Sequence, residues 1–206
     1  MDMRVIINTP RIRPLEPVLR KWIDLNESFA REMGFRDCPW WYNERTFVGV
    51  LAAACFLTGG YALEEYGCLK SWESEEYKGR SDLYLRIGGE EYACEAKHHW
   101  LRAEIPAGEA LKRLEEAVET AEKDARGGDQ SVKTRLALLF VAPTVPEREI
   151  GEIPDRIEKW RDLLKKLEPD AMAWTFPEGG ERIREEGKEG KVYPGVALVL
   201  QEVRGG

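Results

Sequence analysis

The sequence lacks long hydrophobic runs, paired cysteines and an apolar leader at its start. Its longest apolar segment spans eleven residues, 47–57, well short of the roughly 18 that a membrane-spanning helix needs. The four cysteines form no Cys-x-x-Cys pair, which argues against a structural zinc site and favours free thiols. The first fourteen residues contain no apolar core of a signal peptide. We therefore expect an intracellular, cytoplasmic protein without membrane contact.

The chain also lacks an excess of basic residues. Its net charge is -7, from 31 lysines and arginines against 38 aspartates and glutamates. Proteins that coat nucleic acids are usually basic, so the charge argues against that class but allows a local basic groove. The length of 206 residues, with 43% hydrophobic and 33% charged residues, predicts one globular domain that buries a sizeable core.

Apolar spacing predicts the order of helices and strands. Helices are expected over residues 14–33, 43–58, 107–125 and 153–169, the first of them stopped by Gly34. Strands are expected over 82–87, 91–97, 134–143, 171–176 and 192–203. Residues 61–80 are expected to form a short strand and a charged loop, and residues 178–191 an exposed loop. The alternation of elements predicts an α/β fold in which helices flank a mixed central β-sheet on both faces.

The segment 81–97, SDLYLRIGGEEYACEAK, carries charged residues in two strands that otherwise look buried. A tight turn at Gly88 and Gly89 would place Asp82 opposite Glu95, with Lys97 further along the same face. Facing β-carbons lie about 4.5–5.5 Å apart, so the carboxylates repel unless water, a cation or a raised pKa offsets the repulsion. Mg²⁺ would do so, since it prefers oxygen ligands. A hydrated pair with Lys97 as a simple counter-ion is the alternative.

This segment resembles the PD-(D/E)xK nuclease superfamily, which has the restriction-endonuclease-like fold. The pattern is an acidic residue on one strand, here Asp82, and Glu-x-Lys on the next, here Glu95-Ala96-Lys97. The helix before the hairpin, and the helix and apolar strand after it, also match. The resemblance covers about residues 40–142 and departs from the pattern at Ser81, where the superfamily nominally has proline.

The resemblance implies a Mg²⁺-dependent nuclease that hydrolyses phosphodiester bonds in DNA, with Mn²⁺ as a substitute ion. Asp82, Glu95 and the Ala96 carbonyl would hold the metal, and Glu44 would contribute directly or through water. Lys97 would orient the attacking water and stabilise developing negative charge. Within a single domain of residues 1–206, residues 1–39 would be a helical extension and 40–142 the nuclease-like core. Residues 143–206 would complete the sheet.

Two other interpretations stay open. The chain could be a non-catalytic binding or assembly module of the same fold, or an α/β domain with an accidental motif. A homodimer would suit double-strand cleavage, but no residue indicates one. Several residues near the motif have no assigned role at this point: Trp40, Trp41, Tyr42, His98, His99, Lys112 and Arg113, and also Glu64 and Glu65, second to Glu44 as an additional carboxylate.

Overall fold

The computed structural model describes residues 4–72, 75–185 and 190–203. The elements follow in chain order: β1 (Val5–Ile7), α1 (Glu16–Glu32), α2 (Glu44–Leu57), β2 (Tyr61–Trp72), β3 (Glu75–Ile87), β4 (Glu90–Arg102), α3 (Ala107–Arg126), β5 (Thr134–Pro146), α4 (Ile153–Lys165), β6 (Ala171–Thr175), β7 (Lys191–Val192) and β8 (Val196–Glu202). Short 3₁₀ helices lie at residues 10–15, 39–41, 147–152 and 180–182.

In these described ranges the strands form one mixed sheet. Its order is β1-β6-β8-β5-β4-β3-β2, and β7 pairs with the end of β5. Strands β4 and β5 are parallel, whereas the other neighbours are antiparallel. Parallel neighbours need a long crossover, and α3 supplies it. The predicted α/β class with a mixed sheet is confirmed.

Helices cover both faces of the sheet, because strand side chains alternate between them. Leu138 and Phe140 of β5 join the apolar cluster that α1 and α2 contribute to. Leu139 and Val141 of the same strand join the cluster of α3 and α4. The prediction that this strand is central and covered on both sides is therefore confirmed.

Helix α2 is nearly all apolar but short. It spans fourteen residues, and it buries Phe47, Leu51 and Cys55 against the sheet. Its last turn leaves Phe56 and Leu57 exposed. Across the described ranges, no helix combines the length and the apolarity that crossing a membrane requires.

The prediction for residues 61–80 is wrong. Strands β2 and β3 form a long antiparallel ribbon, paired from Tyr61 and Arg86 to Trp72 and Glu75. The outer half of β3 is mostly exposed. The outer half of β3 is charged and lacks the alternation of apolar and polar residues that marks a half-buried strand, and so its sequence resembles that of a loop.

Two further segments differ from the sequence-based expectation. Strand β1, which pairs with β6 through Ile6 and Met172, was not predicted because three residues are too few for a periodic signal. The strand expected over 192–203 is divided into β7 and β8 around Pro194, since proline has no N–H for the ladder. In the segment 178–191 the described residues include a bridge from Arg184 to Val192, and residues 186–189 lie outside the description.

Candidate functional site

The site begins at the turn between β3 and β4. Gly88 and Gly89 both have positive φ, at 61° and 85°, which a tight two-residue hairpin turn requires and glycine allows. The ladder runs from this turn to the pair Leu83 and Cys94, in the register predicted from the sequence. The hairpin therefore presents its charged residues just beyond the last ladder pair.

Beyond that pair, Asp82 and Glu95 do not form the ladder pair that the sequence predicts. Oδ2 of Asp82 accepts a hydrogen bond from the backbone N–H of Ala96 at 2.7 Å. The hydroxyl of Ser81 donates to Oε1 of Glu95 at 2.5 Å. Regular alternation from the last ladder pair would put Ser81 and Glu95 on opposite faces. Strand β3 therefore changes face at Asp82, and this carboxylate substitutes for a backbone acceptor.

The change of face continues into β2. Glu65 stands opposite Asp82 and has a positive φ of 50°, which costs about 1–3 kcal/mol for a residue other than glycine. Its carboxylate forms ion pairs with Arg45 at 3.0 Å and Arg80 at 3.6 Å. Both arginine side chains are largely exposed, at 73% and 67%, so these ion pairs hold the Glu65 carboxylate only weakly.

Glu95 is the most enclosed of the predicted carboxylate ligands, with 4% of its surface exposed. Nζ of Lys70 donates to Oε1 of Glu95 at 2.7 Å. Burial raises the pKa of Glu95, the hydrogen bonds from Lys70 and Ser81 oppose the rise, and the charge of Asp82 adds to it. Sequence analysis did not identify Lys70, because it lies 25 residues upstream in the segment expected to be partly loop. Only the pairing of β2 with β3 brings it to the site.

Lys97 lies in the same electrostatic cluster but has a different direct partner. Its Nζ lies 2.7 Å from Oδ2 of Asp124 on α3. Burial lowers the pKa of Lys97, but the bond to Asp124 and the charges of Glu44 and Asp82 outweigh it and raise the pKa. Lys97 is therefore a cation at neutral pH. Sequence analysis missed Asp124, which reads as an ordinary surface residue of an amphipathic helix.

Glu44 reaches the site from the first turn of α2. The side chain of Asn43 caps this helix by accepting from the N–H of Thr46 at 3.3 Å. Burial raises the pKa of Glu44, while the charge of Lys97 and the nearby backbone of His98 lower it. The helix start thus holds a half-buried carboxylate close to β4.

A small cleft joins these carboxylates. Its volume is about 100 Å³, and acidic side chains from α2, β2 and β3 line it together with Arg45 and Val48: Glu44, Glu64, Glu65 and Asp82. Both glutamates of β2 that were weighed as additional carboxylates therefore share the cleft with the predicted ones. Glu95 does not line this cleft, since its oxygen turns to Lys70 and Ser81.

The donors suit a divalent cation in kind, since Mg²⁺ takes carboxylate and carbonyl oxygens. In the part of the chain that is described, however, no three His, Cys, Asp or Glu side chains form a ready-made ligand group. The ammonium of Lys70 holds a positive charge against Glu95 at hydrogen-bond distance. The site therefore contains oxygen donors of the kind that a divalent cation takes, but one of the predicted ligands, Glu95, is engaged by the ammonium of Lys70.

The two histidines after Lys97 are partly buried and neutral. The His98 ring packs between Phe47 and Trp100, with centroids at 4.8 Å and 4.4 Å. Burial, assisted by His99, lowers the pKa of His98 to about 4. Burial and the charge of Arg113 also lower the pKa of His99. The Nε2 atoms of both rings are enclosed without a hydrogen-bond partner among the described residues.

The tryptophan pair and the adjoining tyrosine have local partners. Trp40 is fully buried, and its Nε1 donates to the carbonyl of Tyr193 at 2.9 Å. Trp41 stacks on the Tyr193 ring at 5.5 Å, and the hydroxyl of Tyr42 donates to Asp37 at 2.9 Å. Trp40 therefore belongs to the core.

The basic pair on α3 forms ion pairs along its own helix. Lys112 lies 3.9 Å from Glu116, and Arg113 lies 2.5 Å from Glu109. Exposed ion pairs of this kind contribute little free energy, so they do not fix the side chains of Lys112 and Arg113 in these positions.

No family model, curated protein or solved structure matches the chain.

Proposed function

We propose that this protein is a Mg²⁺-dependent nuclease of the restriction-endonuclease-like fold that hydrolyses phosphodiester bonds in DNA. The observation that carries the proposal is the meeting of acidic side chains where the β3–β4 ladder ends. Glu44 and Asp82 line one cleft. Asp82 also accepts a hydrogen bond from the N–H of Ala96, the residue between Glu95 and Lys97. Half-buried carboxylates that share a cleft, as Glu44 and Asp82 do, repel each other unless a cation offsets the charge.

The order of elements also supports the fold part of the proposal. Helix α2 precedes the antiparallel strands β2, β3 and β4, and α3 then leads to β5, which is parallel to β4. This is the arrangement of helix, hairpin, helix and apolar strand on which the sequence resemblance is based. Asp82 and Glu95 lie just beyond the pair Leu83 and Cys94, where the β3–β4 ladder ends. The resemblance implies metal ligands at this place.

The carboxylates of Asp82 and Glu95 and the Ala96 carbonyl would hold Mg²⁺, with Glu44 directly or through water. A bound Mg²⁺ supplies Lewis acidity toward a phosphate and lowers the pKa of bound water. Lys97 contributes a permanent positive charge for the negative charge that develops on the phosphate. Asp124 restricts the position of Lys97 through its 2.7 Å ion pair.

Cleavage assays test the activity. End-labelled single-stranded, duplex, nicked and branched DNA are incubated with Mg²⁺, Mn²⁺ or EDTA. We expect cleavage of at least one substrate with either metal, none with EDTA, and at least 100-fold slower cleavage by Asp82→Asn. Asp162→Asn, an exposed position on α4, is the matched control and should retain the rate. Intact DNA in all four cases with folded protein in Mn²⁺ contradicts the proposal.

A non-catalytic module of the same fold is the second candidate. The observation that favours it is that Glu95 and Lys97 already have internal partners of opposite charge, Lys70 and Asp124. The net charge of -7 points the same way. Calorimetric titration with Mn²⁺ separates the two candidates. A nuclease should bind Mn²⁺ and lose this binding in Asp82→Asn, whereas a non-catalytic module that has lost its metal site should show no such binding.

A further inference from the structure

An ion pair between β2 and β4 lies inside the candidate site. Nζ of Lys70 is 2.7 Å from Oε1 of Glu95, and the two side chains are only 14% and 6% exposed. The Ser81 hydroxyl donates to the same oxygen at 2.5 Å. One oxygen of Glu95 is thus engaged by two donors, and this pair differs from the exposed ion pairs on the helices.

The strand next to Lys70 leaves room for its aliphatic stem. A β-carbon at Gly79 of β3 would lie 2.9 Å from Cδ and 3.1 Å from Cγ of Lys70. Gly79 does not have a positive φ, so its backbone does not demand glycine. The absence of a side chain there therefore serves the path of Lys70 toward Glu95.

We infer that Lys70 is an internal competitor for the metal, a positioning residue that neutralises Glu95 in the free protein and leaves it when a divalent cation binds. This inference rests on the proposed function, since it assumes that Glu95 is a metal ligand. Lys70 thereby sets the affinity of the site for the metal.

The competition follows from distance and charge. A Mg²⁺ ion bound to Glu95 would lie about 2.0–2.1 Å from its oxygen. The ammonium of Lys70, at hydrogen-bond distance from the same oxygen, would then lie close to the metal ion, and the two positive charges would repel each other strongly because little water screens them. The free energy of the ion pair between Lys70 and Glu95 is lost when the metal enters, and this loss weakens the observed binding.

Calorimetric titration with Mn²⁺ tests the inference. The variants are Lys70→Met, which keeps the stem and removes the charge, and Lys70→Arg, which keeps the charge. Lys78→Met removes one positive charge from an exposed position of the same ribbon and is the matched control. We expect Lys70→Met to bind Mn²⁺ at least 10-fold more tightly than the wild type. Lys70→Arg and Lys78→Met should stay within about 3-fold.

A second readout covers loss of stability in Lys70→Met, since it leaves Glu95 without its counter-ion. The rise in Tm caused by Mn²⁺ should be larger for Lys70→Met than for Lys78→Met, and Mn²⁺ should refold the variant if it unfolds without metal. The inference is overturned if Lys70→Met binds Mn²⁺ no more tightly than the wild type and its rise in Tm equals that of Lys78→Met. In that case the proposed metal site still stands, provided that the wild type binds Mn²⁺. If neither wild type nor Lys70→Met binds Mn²⁺, the metal site fails as well.

Discussion

At the scale of single residues, two of the predicted site residues have a direct partner of opposite charge. Glu95 has Lys70, and Lys97 has Asp124. Removing one member of a buried pair typically costs about 3–5 kcal/mol, because the other charge stays behind without compensation. We expect the enclosed pair at Glu95 to depend on its partner more than the half-exposed pair at Lys97.

His98 gives a prediction for the pH dependence of stability. Its pKa is about 4 in the folded chain against an ordinary 6.5, so between these values the unfolded chain binds a proton that the folded chain does not. Falling pH therefore favours unfolding through this window. Replacing His98 with Phe removes the contribution, so the stability of the wild type relative to His98→Phe should decrease from pH 7 to pH 4.5. Urea unfolding at both pH values measures it, and a constant difference contradicts it.

Trp40 gives a prediction for core stability. Trp40→Phe removes the hydrogen bond to the Tyr193 carbonyl and leaves this buried acceptor unpaired, so we expect a loss of about 1–3 kcal/mol in the free energy of unfolding. Mn²⁺ affinity should not change, because the ring lies in the core. Tyr42→Phe is the control at an exposed neighbour and should cost less. A normal stability of Trp40→Phe together with weaker DNA binding would instead assign Trp40 to the substrate.

At the scale of elements, the start of α2 and the β3–β4 hairpin bring the motif residues together. The register of the hairpin could be predicted because Gly88 and Gly89 define a tight turn, and the capped start of α2 at Asn43 could be predicted from its residue type. The change of face at Asp82 could not, because it coincides with an interruption of the β2–β3 ladder at Glu65, which has a positive φ. That backbone conformation is rare for glutamate and leaves no sequence signal.

The cap of α2 gives the element-scale prediction. Asn43→Ala removes the hydrogen bond to the N–H of Thr46, and we expect a loss of about 0.5–2 kcal/mol in the free energy of unfolding. Asn43→Asp keeps an acceptor and places a negative charge at the helix start, where it is favourable. Urea unfolding of the two variants tests this. Equal stability of Asn43→Ala and Asn43→Asp would show that the cap does not support the helix.

At the scale of the whole molecule, one mixed sheet carries the flanking helices. The central strand and the flanking helices could be predicted, since continuous apolar runs and helical spacing are strong signals. The long ribbon of β2 and β3 could not, because the outer half of β3 is charged and exposed and lacks the alternation that marks a half-buried strand. Lys70 was missed for the same reason, as its contact with Glu95 exists only once the ribbon is paired.

The net charge of -7 gives a prediction for DNA binding. Without a divalent ion, the acidic cleft should repel a phosphodiester, and binding should be weak. Replacing EDTA with Ca²⁺, which also takes oxygen ligands, should tighten binding of labelled DNA at least 10-fold in a fluorescence anisotropy titration. Asp82→Asn should lose most of this gain. Equal affinity in EDTA and in Ca²⁺ would argue against a metal-bridged substrate.

The most direct measurement for the central claim is an anomalous diffraction map from crystals soaked in Mn²⁺. The account predicts a Mn²⁺ peak within coordination distance of the carboxylates of Asp82 and Glu95, with Glu44 nearby and Nζ of Lys70 moved away from Glu95. A map without a peak at these carboxylates, in which Lys70 still lies at hydrogen-bond distance from Glu95, would contradict it.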